Sequence, residues 1–271
     1  MTTLAIINQK GGSAKTTTVV HLGAALAALG KRVLLVDMDP QGHLAETFNI
    51  SARALDREMS TVLMRKTPLR DVIVTVRPNL DLAPSNIRLS YSEPDLLRSH
   101  RREDRLKTAL ATVQGDYDVV LIDCPPNLGL LTVNALSAAR YVLIPMAADF
   151  YNMLGVGLFL ETLDEMRAEL NPDLQVLGLL PTRYDKRTAN AAEILERTRR
   201  PGRRHPDLRH SDPRDRAFPR GRRERTDHLR VCAGLAGRRG LHPRRAGGRR
   251  SCLAVRRSTG ARLSSVAPRT R

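Results

Sequence analysis

The sequence predicts an α/β protein, a doubly wound and mostly parallel sheet with helices on both faces, followed by an irregular arginine-rich tail. Three observations carry this. Runs rich in branched apolar residues recur at 4–7, 33–36, 80–83, 118–123, 141–145 and 175–180, with helix-like stretches between most of them, which is the alternation of a parallel sheet. The first run ends in a glycine-lysine loop that passes straight into a helix-like segment. Two later runs end in carboxylates, Asp37 and Asp123, on the edge where open parallel sheets bind ligands.

Taken in order, Leu4, Ile6 and Ile7 suit a strand buried on both faces. Gly11 and Gly12 lack a Cβ, so their backbone can approach a polyphosphate and turn its N–H groups inward. A helix is expected from about Thr17 to Leu29, its N-terminal dipole aimed at the same anion, with Gly30 as its stop. The run 33–36 closes a strand-helix-strand unit with a right-handed crossover. Leu44–Leu69 reads as mixed helical packing. After the strand at 80–83, helices are expected over 87–113, with a break near Ser92-Glu93-Pro94. Arg98, Arg101, Arg102 and Arg105 lie there among Glu103 and Asp104, and such a run is more often a solvated face than a phosphate contact. Asp149–Leu170 reads as a helix with Phe159, Leu163 and Met166 available for a core, and another helix begins at Ala189.

The chemistry lies in three motifs. The common phosphate-loop pattern carries glycine six residues before its lysine and again immediately before it, and those places hold Gln9 and Ala14 here. The extra lysine resolves this. Lys10-Gly11-Gly12-Ser13-Ala14-Lys15-Thr16-Thr17, preceded by Asn8-Gln9, resembles the deviant Walker A motif of the ParA and MinD group of ATPases, K-G-G-x-x-K-[ST]-[ST], with Ala14 in place of the usual glycine. Asp37-Met38-Asp39-Pro40 places two acids just past a strand end, and DVVLID followed by Cys124-Pro125-Pro126 is a Walker B arrangement. The stretch DCPPNLGLLTVNAL resembles the corresponding ParA segment, so the likeness covers about residues 2–198.

That resemblance implies a P-loop NTPase that binds and hydrolyses Mg·ATP. Gly11, Gly12, Ser13, Ala14, Lys15, Thr16 and Thr17 would cradle the phosphates. Lys15 would reach the β- and γ-phosphates, and Thr16 with Asp123 would hold Mg²⁺. Asp39 would position the attacking water with Asp37 in support. Lys10 would cross to the nucleotide of a second subunit in an ATP-dependent homodimer, with Gly11 allowing the close approach. Thr182 and Arg183 would lie beside the base. The family binds DNA without sequence preference and is stimulated by a ParB-type DNA-binding protein, moving chromosome or plasmid copies apart in the cytoplasm on the nucleoid. The alternatives are a MinD-like positioning ATPase, which needs a C-terminal amphipathic membrane helix that this sequence does not show, or a truncated or frameshifted homologue without activity. An iron–sulfur reductase of the same superfamily would need two placed cluster cysteines, and only Cys124 lies in the matched region.

Composition sets the outer limits. No run of 18 apolar residues occurs and the first strand begins at once, which predicts a cytoplasmic chain with no stable membrane association. Cys124, Cys232 and Cys252 suit reduced thiols, and no C-x-x-C or H-x₃-H spacing supports a zinc site at Cys232, His242 and Cys252. The net charge of +17 is confined to one end. Residues 1–198 hold 22 Lys+Arg against 23 Asp+Glu, whereas 199–271 hold 23, all arginine, against 5. From Arg200 on there is no sustained period of two or 3.6, so residues 199–271 read as a disordered tail after a 1–198 ATPase domain. Arginine without lysine beside Pro, Gly and Ala points to a shifted reading frame near Thr198; a natural basic tail that binds nucleic acid is the alternative.

Overall fold

The computed structural model describes residues 1–147 and 150–182 of the chain. The expectations for Arg183, for the helix from Ala189, and for the tail with its proposed frame change and its two cysteines lie outside these residues.

Among the described residues, seven strands form one sheet: β1 (Thr2–Ile6), β2 (Val33–Asp37), β3 (Val74–Arg77), β4 (Leu80–Ala83), β5 (Val119–Asp123), β6 (Tyr141–Ala147) and β7 (Gln175–Thr182). Their order is β3-β4-β2-β5-β1-β6-β7. Every pair is parallel except β3 with β4. The α-helices of these described residues are α1 (Lys15–Ala28), α2 (His43–Thr47), α3 (Met59–Leu63), α4 (Arg88–Leu97), α5 (Arg105–Ala111), α6 (Leu130–Ala138) and α7 (Phe150–Glu169). The period of two along the strands divides the core. Ala5, Leu34, Val36, Val120 and Ile122 face a layer formed by α3 to α7. Leu4, Ile6, Val33, Leu35 and Leu121 face α1 and α2. Both faces of each central strand are thus dry, which is why these strands read as unbroken apolar runs. At Gly23 of α1 a Cβ would sit 2.7 Å from Leu35 Cδ2, so the helix lies close on β2 and any larger residue there would have to displace that leucine side chain.

Helix α1 starts two residues earlier than expected and ends as its sequence suggests. Gly30 takes φ +79°, its N–H donates to the Ala27 carbonyl and that of Lys31 to the Leu26 carbonyl, a Schellman closure. Two parts of the sheet layer depart from the sequence reading. The edge strand β3 was not expected, because VTVR is short and half exposed; the turn at Pro78-Asn79, with Asn79 at φ +60°, is its sequence signal. The predicted break near Ser92-Glu93-Pro94 is absent: α4 runs through Pro94 and the chain turns at Arg101, φ +51°. A proline in so short a helix removes one intrahelical bond, to the Ser90 carbonyl, and the burial of Leu89 and Leu96 on one face outweighs it. The region 44–69 resolves into short α2 and α3 with single turns between.

Asn171 ties the far end of the fold together. Its Nδ2 donates to the carbonyls of Leu136, Ser137 and Ala139 at 2.8, 3.2 and 2.7 Å, covering the C-terminal carbonyls of α6 from the segment that leads into β7. Replacing it by alanine strands buried acceptors, so Asn171→Ala should lower unfolding free energy by about 2 kcal/mol in urea titration; an unchanged midpoint would refute this cap. At the other end of the sheet, Ala14 precedes α1 at φ +70°, ψ +32°, a region an L-residue enters at a cost of about 1 kcal/mol. Ala14→Gly should therefore raise stability by about 1 kcal/mol in the same titration, and a loss of stability would contradict the strain.

Candidate nucleotide site at the carboxyl edge of the sheet

The loop Ile7–Ala14 leaves β1 at the carboxyl edge and enters α1 directly. Gly12 at φ +68° and Ala14 at φ +70° turn the backbone twice, and no side chain caps the start of α1. The first N–H groups of α1 thus have no side-chain cap and can receive an anion. The Thr18 hydroxyl folds back to the Ala14 carbonyl at 2.7 Å, fixing the first turn. Two strands hold the loop from the side. Asn8 Nδ2 donates to the Pro145 carbonyl of β6 at 2.6 Å, and the Thr182 hydroxyl at the end of β7 donates to the Ser13 carbonyl at 3.2 Å.

Lys15 is buried at the first position of α1, with 7 % of its surface exposed. Burial lowers the basicity of its ammonium, while the charges of Asp123 and Asp39 act against that. Asp123 ends β5 and stands in register with Ile6 of β1 and with Asp37 of β2. Asp37 is fully buried and Asp123 nearly so, and both carboxyls are held above the usual carboxylate range, chiefly by burial. The charge of Asp123 adds to this at Asp37. At Asp123 the charge of Asp39 adds, while the Thr16 hydroxyl, which hydrogen-bonds its carboxylate, and Lys15 oppose. Asp39 is half-buried. Its backbone N–H donates to Asp37 Oδ1 at 3.0 Å, its own Oδ1 accepts from the Gln41 N–H at 3.0 Å, and its carbonyl accepts from the Ser85 hydroxyl.

Ser13 Oγ, Asp37 Oδ2 and Asp123 Oδ1 are buried without a hydrogen-bond partner. Among the described residues only Arg105 Nε shares that condition, so the unmet polar atoms concentrate at this edge. A buried carboxylate oxygen without a partner costs several kcal/mol, more than the ordinary hydrogen bonds nearby return. Such a set suits a hard cation with its anion: Mg²⁺ is held by one or two carboxylates and shared with phosphate oxygens. Asp123 and Thr16, beside Asp37, have the chemistry to hold it.

Of the residues singled out in the sequence, the structure brings Lys15, Thr16, Asp37, Asp39 and Asp123 together, with Ser13 two residues before Lys15 in the loop. Gly11, Gly12 and Thr17 are exposed around the loop, as is Lys10, and a Cβ on Gly11 would meet nothing within 4 Å. Thr182 reaches the loop backbone through its hydroxyl. Arg101 and Arg102 are exposed and paired with Asp104 at 3.1 Å and Glu103 at 2.7 Å. Ser85 went unnoticed in the sequence as a support of Asp39; its place one residue after Pro84, at the carboxyl end of the strand beside β2, was the available signal.

Residues 1–176 match a family profile described as an AAA domain. A protein of Mycobacterium tuberculosis described as uncharacterized is 46 % identical over 196 residues, 72 % of this chain, and the chain spans only 62 % of that relative's length. The chromosome partitioning protein ParA of Caulobacter vibrioides is 42 % identical over 199 residues, covering 72 % of this chain and 74 % of its own. A crystal structure described as cobyrinic acid a,c-diamide synthase of Mycobacterium smegmatis, with bound ATP analog and magnesium, superposes with a TM-score of 0.70 at 45 % identity, over 73 % of this chain and 81 % of that one. With the deviant lysine loop, the paired strand-end carboxylates and this sheet order in place, the chain belongs to the ParA family of P-loop ATPases.

Proposed function

We propose that the chain binds and hydrolyses Mg·ATP at the carboxyl edge of β1, β2 and β5, dimerises on ATP, and serves chromosome or plasmid partition with a ParB-type DNA-binding protein on non-specific DNA. The observation that carries this is the convergence of buried Lys15 with the unpartnered oxygens of Ser13, Asp37 and Asp123. The solved structure with ATP analog and magnesium supports the same ligand pair here. Lys15 offers its ammonium to the phosphate chain from a desolvated place, where the contact is stronger than in water. The loop N–H groups and the start of α1 fix the anion's position. Bound Mg²⁺ would neutralise charge on the phosphate oxygens, held by Thr16 and Asp123. Asp39, pinned by Gln41 and Ser85, keeps a carboxylate at the mouth of the site to orient water toward the terminal phosphate. Lys10 and Gly11 are exposed at the loop tip, where a second subunit would meet them.

No helix among the described residues is long and apolar enough to cross a membrane. Cytoplasmic, nucleoid-associated action belongs to this reading. The 23 arginines of residues 199–271 would add a DNA affinity independent of ATP and steeply dependent on salt. A second reading, an ATP-using amide synthase, is favoured by the name of the Mycobacterium smegmatis structure. ATP turnover measured with and without duplex DNA and a ParB-type protein separates the two: stimulation by both supports partition, and turnover indifferent to both counts against it.

Two substitutions test the assignment of the lysines. Lys15→Ala should weaken Mg·ATP binding by about a hundredfold or more, since charge-assisted contacts contribute about 1.5–3 kcal/mol each. An unchanged dissociation constant would place the nucleotide elsewhere. Lys10→Ala should hold ATP within about threefold of the wild-type affinity yet lose ATP-driven dimers in light scattering, together with turnover. Normal dimers of that variant would rule out a lysine acting across the interface.

A further inference from the structure

Asn8 lies two residues past β1, at the start of the loop, and both ends of its amide are engaged. In the parallel pairing of β1 with β6, the Ile7 N–H donates to the Leu143 carbonyl at 3.1 Å. Parallel ladders repeat every two residues, so the next β6 carbonyl facing β1 is that of Pro145, and its partner would be the N–H of Gln9. The chain has already turned into the loop there. Asn8 Nδ2 takes the place of the missing backbone donor, 2.6 Å from the Pro145 carbonyl. The other end of the same amide, Oδ1, accepts the N–H of Lys10 at 2.8 Å. One planar group therefore spans the sheet and the residue whose side chain stands exposed at the loop tip.

We infer that Asn8 is a positioning residue for Lys10: by completing the β1–β6 ladder with its side chain and holding the Lys10 N–H, it sets where the Lys10 backbone stands relative to the sheet and so where its ammonium is presented to a second copy of the chain. The inference rests on the proposed role of Lys10 across a dimer. Lys15 does not depend on Asn8, because it is fixed by α1 and by the Thr18–Ala14 contact on the other side of the loop. The two lysines of the motif thus have separate supports, and the support of Lys10 can be removed alone.

The test is a double-mutant cycle on the full chain with Asn8→Ala, Lys10→Ala and the pair, reading ATP affinity, KM, kcat and ATP-driven dimerisation. Asn8→Ala should keep nucleotide affinity and KM within about threefold, lower kcat by about tenfold or more and lose dimers, and should cost nothing further in the Lys10→Ala background. Asn8→Ser keeps a short acceptor for the Lys10 N–H but cannot reach Pro145, and should fall between alanine and wild type. A retained thermal shift with Mg·ATP shows that each variant is folded. The inference is overturned if Asn8→Ala turns over ATP like wild type while Lys10→Ala does not. Loss of affinity to the extent of Lys15→Ala, or a further drop in kcat on top of Lys10→Ala, would overturn it too. Normal turnover by Lys10→Ala removes the reading of Lys10 itself, and this inference with it.

Discussion

The constraint on which the site depends is the burial of charge at the carboxyl edge of three adjacent strands. Asp37 and Asp123 are neighbours in the β2–β5 ladder, and neither can leave, because each is the last residue of a strand whose other side chains form the core. Two carboxylates so placed repel each other and lose their water. Lys15, delivered by the first turn of α1, and the Thr16 hydroxyl answer only part of that cost, and one oxygen on each carboxylate stays unmet. An apolar replacement would stabilise the bare fold more cheaply. Under the proposed function, the cost would be recovered when a cation and its polyphosphate bind.

The rest of the architecture serves that placement. The order β4-β2-β5-β1-β6 puts Asp-ended β5 beside the strand that feeds the loop and Asp-ended β2 next to β5, so a local sequence motif and two distant ones meet at one edge. The loop is then held from both sides: by α1, whose start no side chain caps, and by Asn8 and Thr182, which anchor it to β6 and β7.

Much of this was legible in the sequence, for physical reasons that differ by element. Central strands such as Leu34–Val36 and Val120–Ile122 are buried on both faces and so appear as plain apolar runs. The loop was legible because close approach to phosphate demands glycine and lysine at fixed spacing. The edge strand β3 was not, since an exposed edge needs no apolar signature. The continuity of α4 through Pro94 was hidden because tertiary burial of Leu89 and Leu96 overrides a local breaker. Ser85 and the double duty of the Asn8 amide depend on which strands lie side by side, and no spacing along the chain records that. Ala14 was visible as a departure from glycine, but only its φ of +70° shows that the position demands one.

Amide hydrogen exchange of the full chain with and without Mg·ATP would show whether this edge of the sheet is a polyphosphate site left open by its own unmet polar groups. Added protection should concentrate at residues 11–18, where loop and helix N–H groups would meet the phosphates, with a smaller effect at 37–42 and 123–126. Protection confined to other parts of the sheet, or none at saturating Mg·ATP, would contradict it.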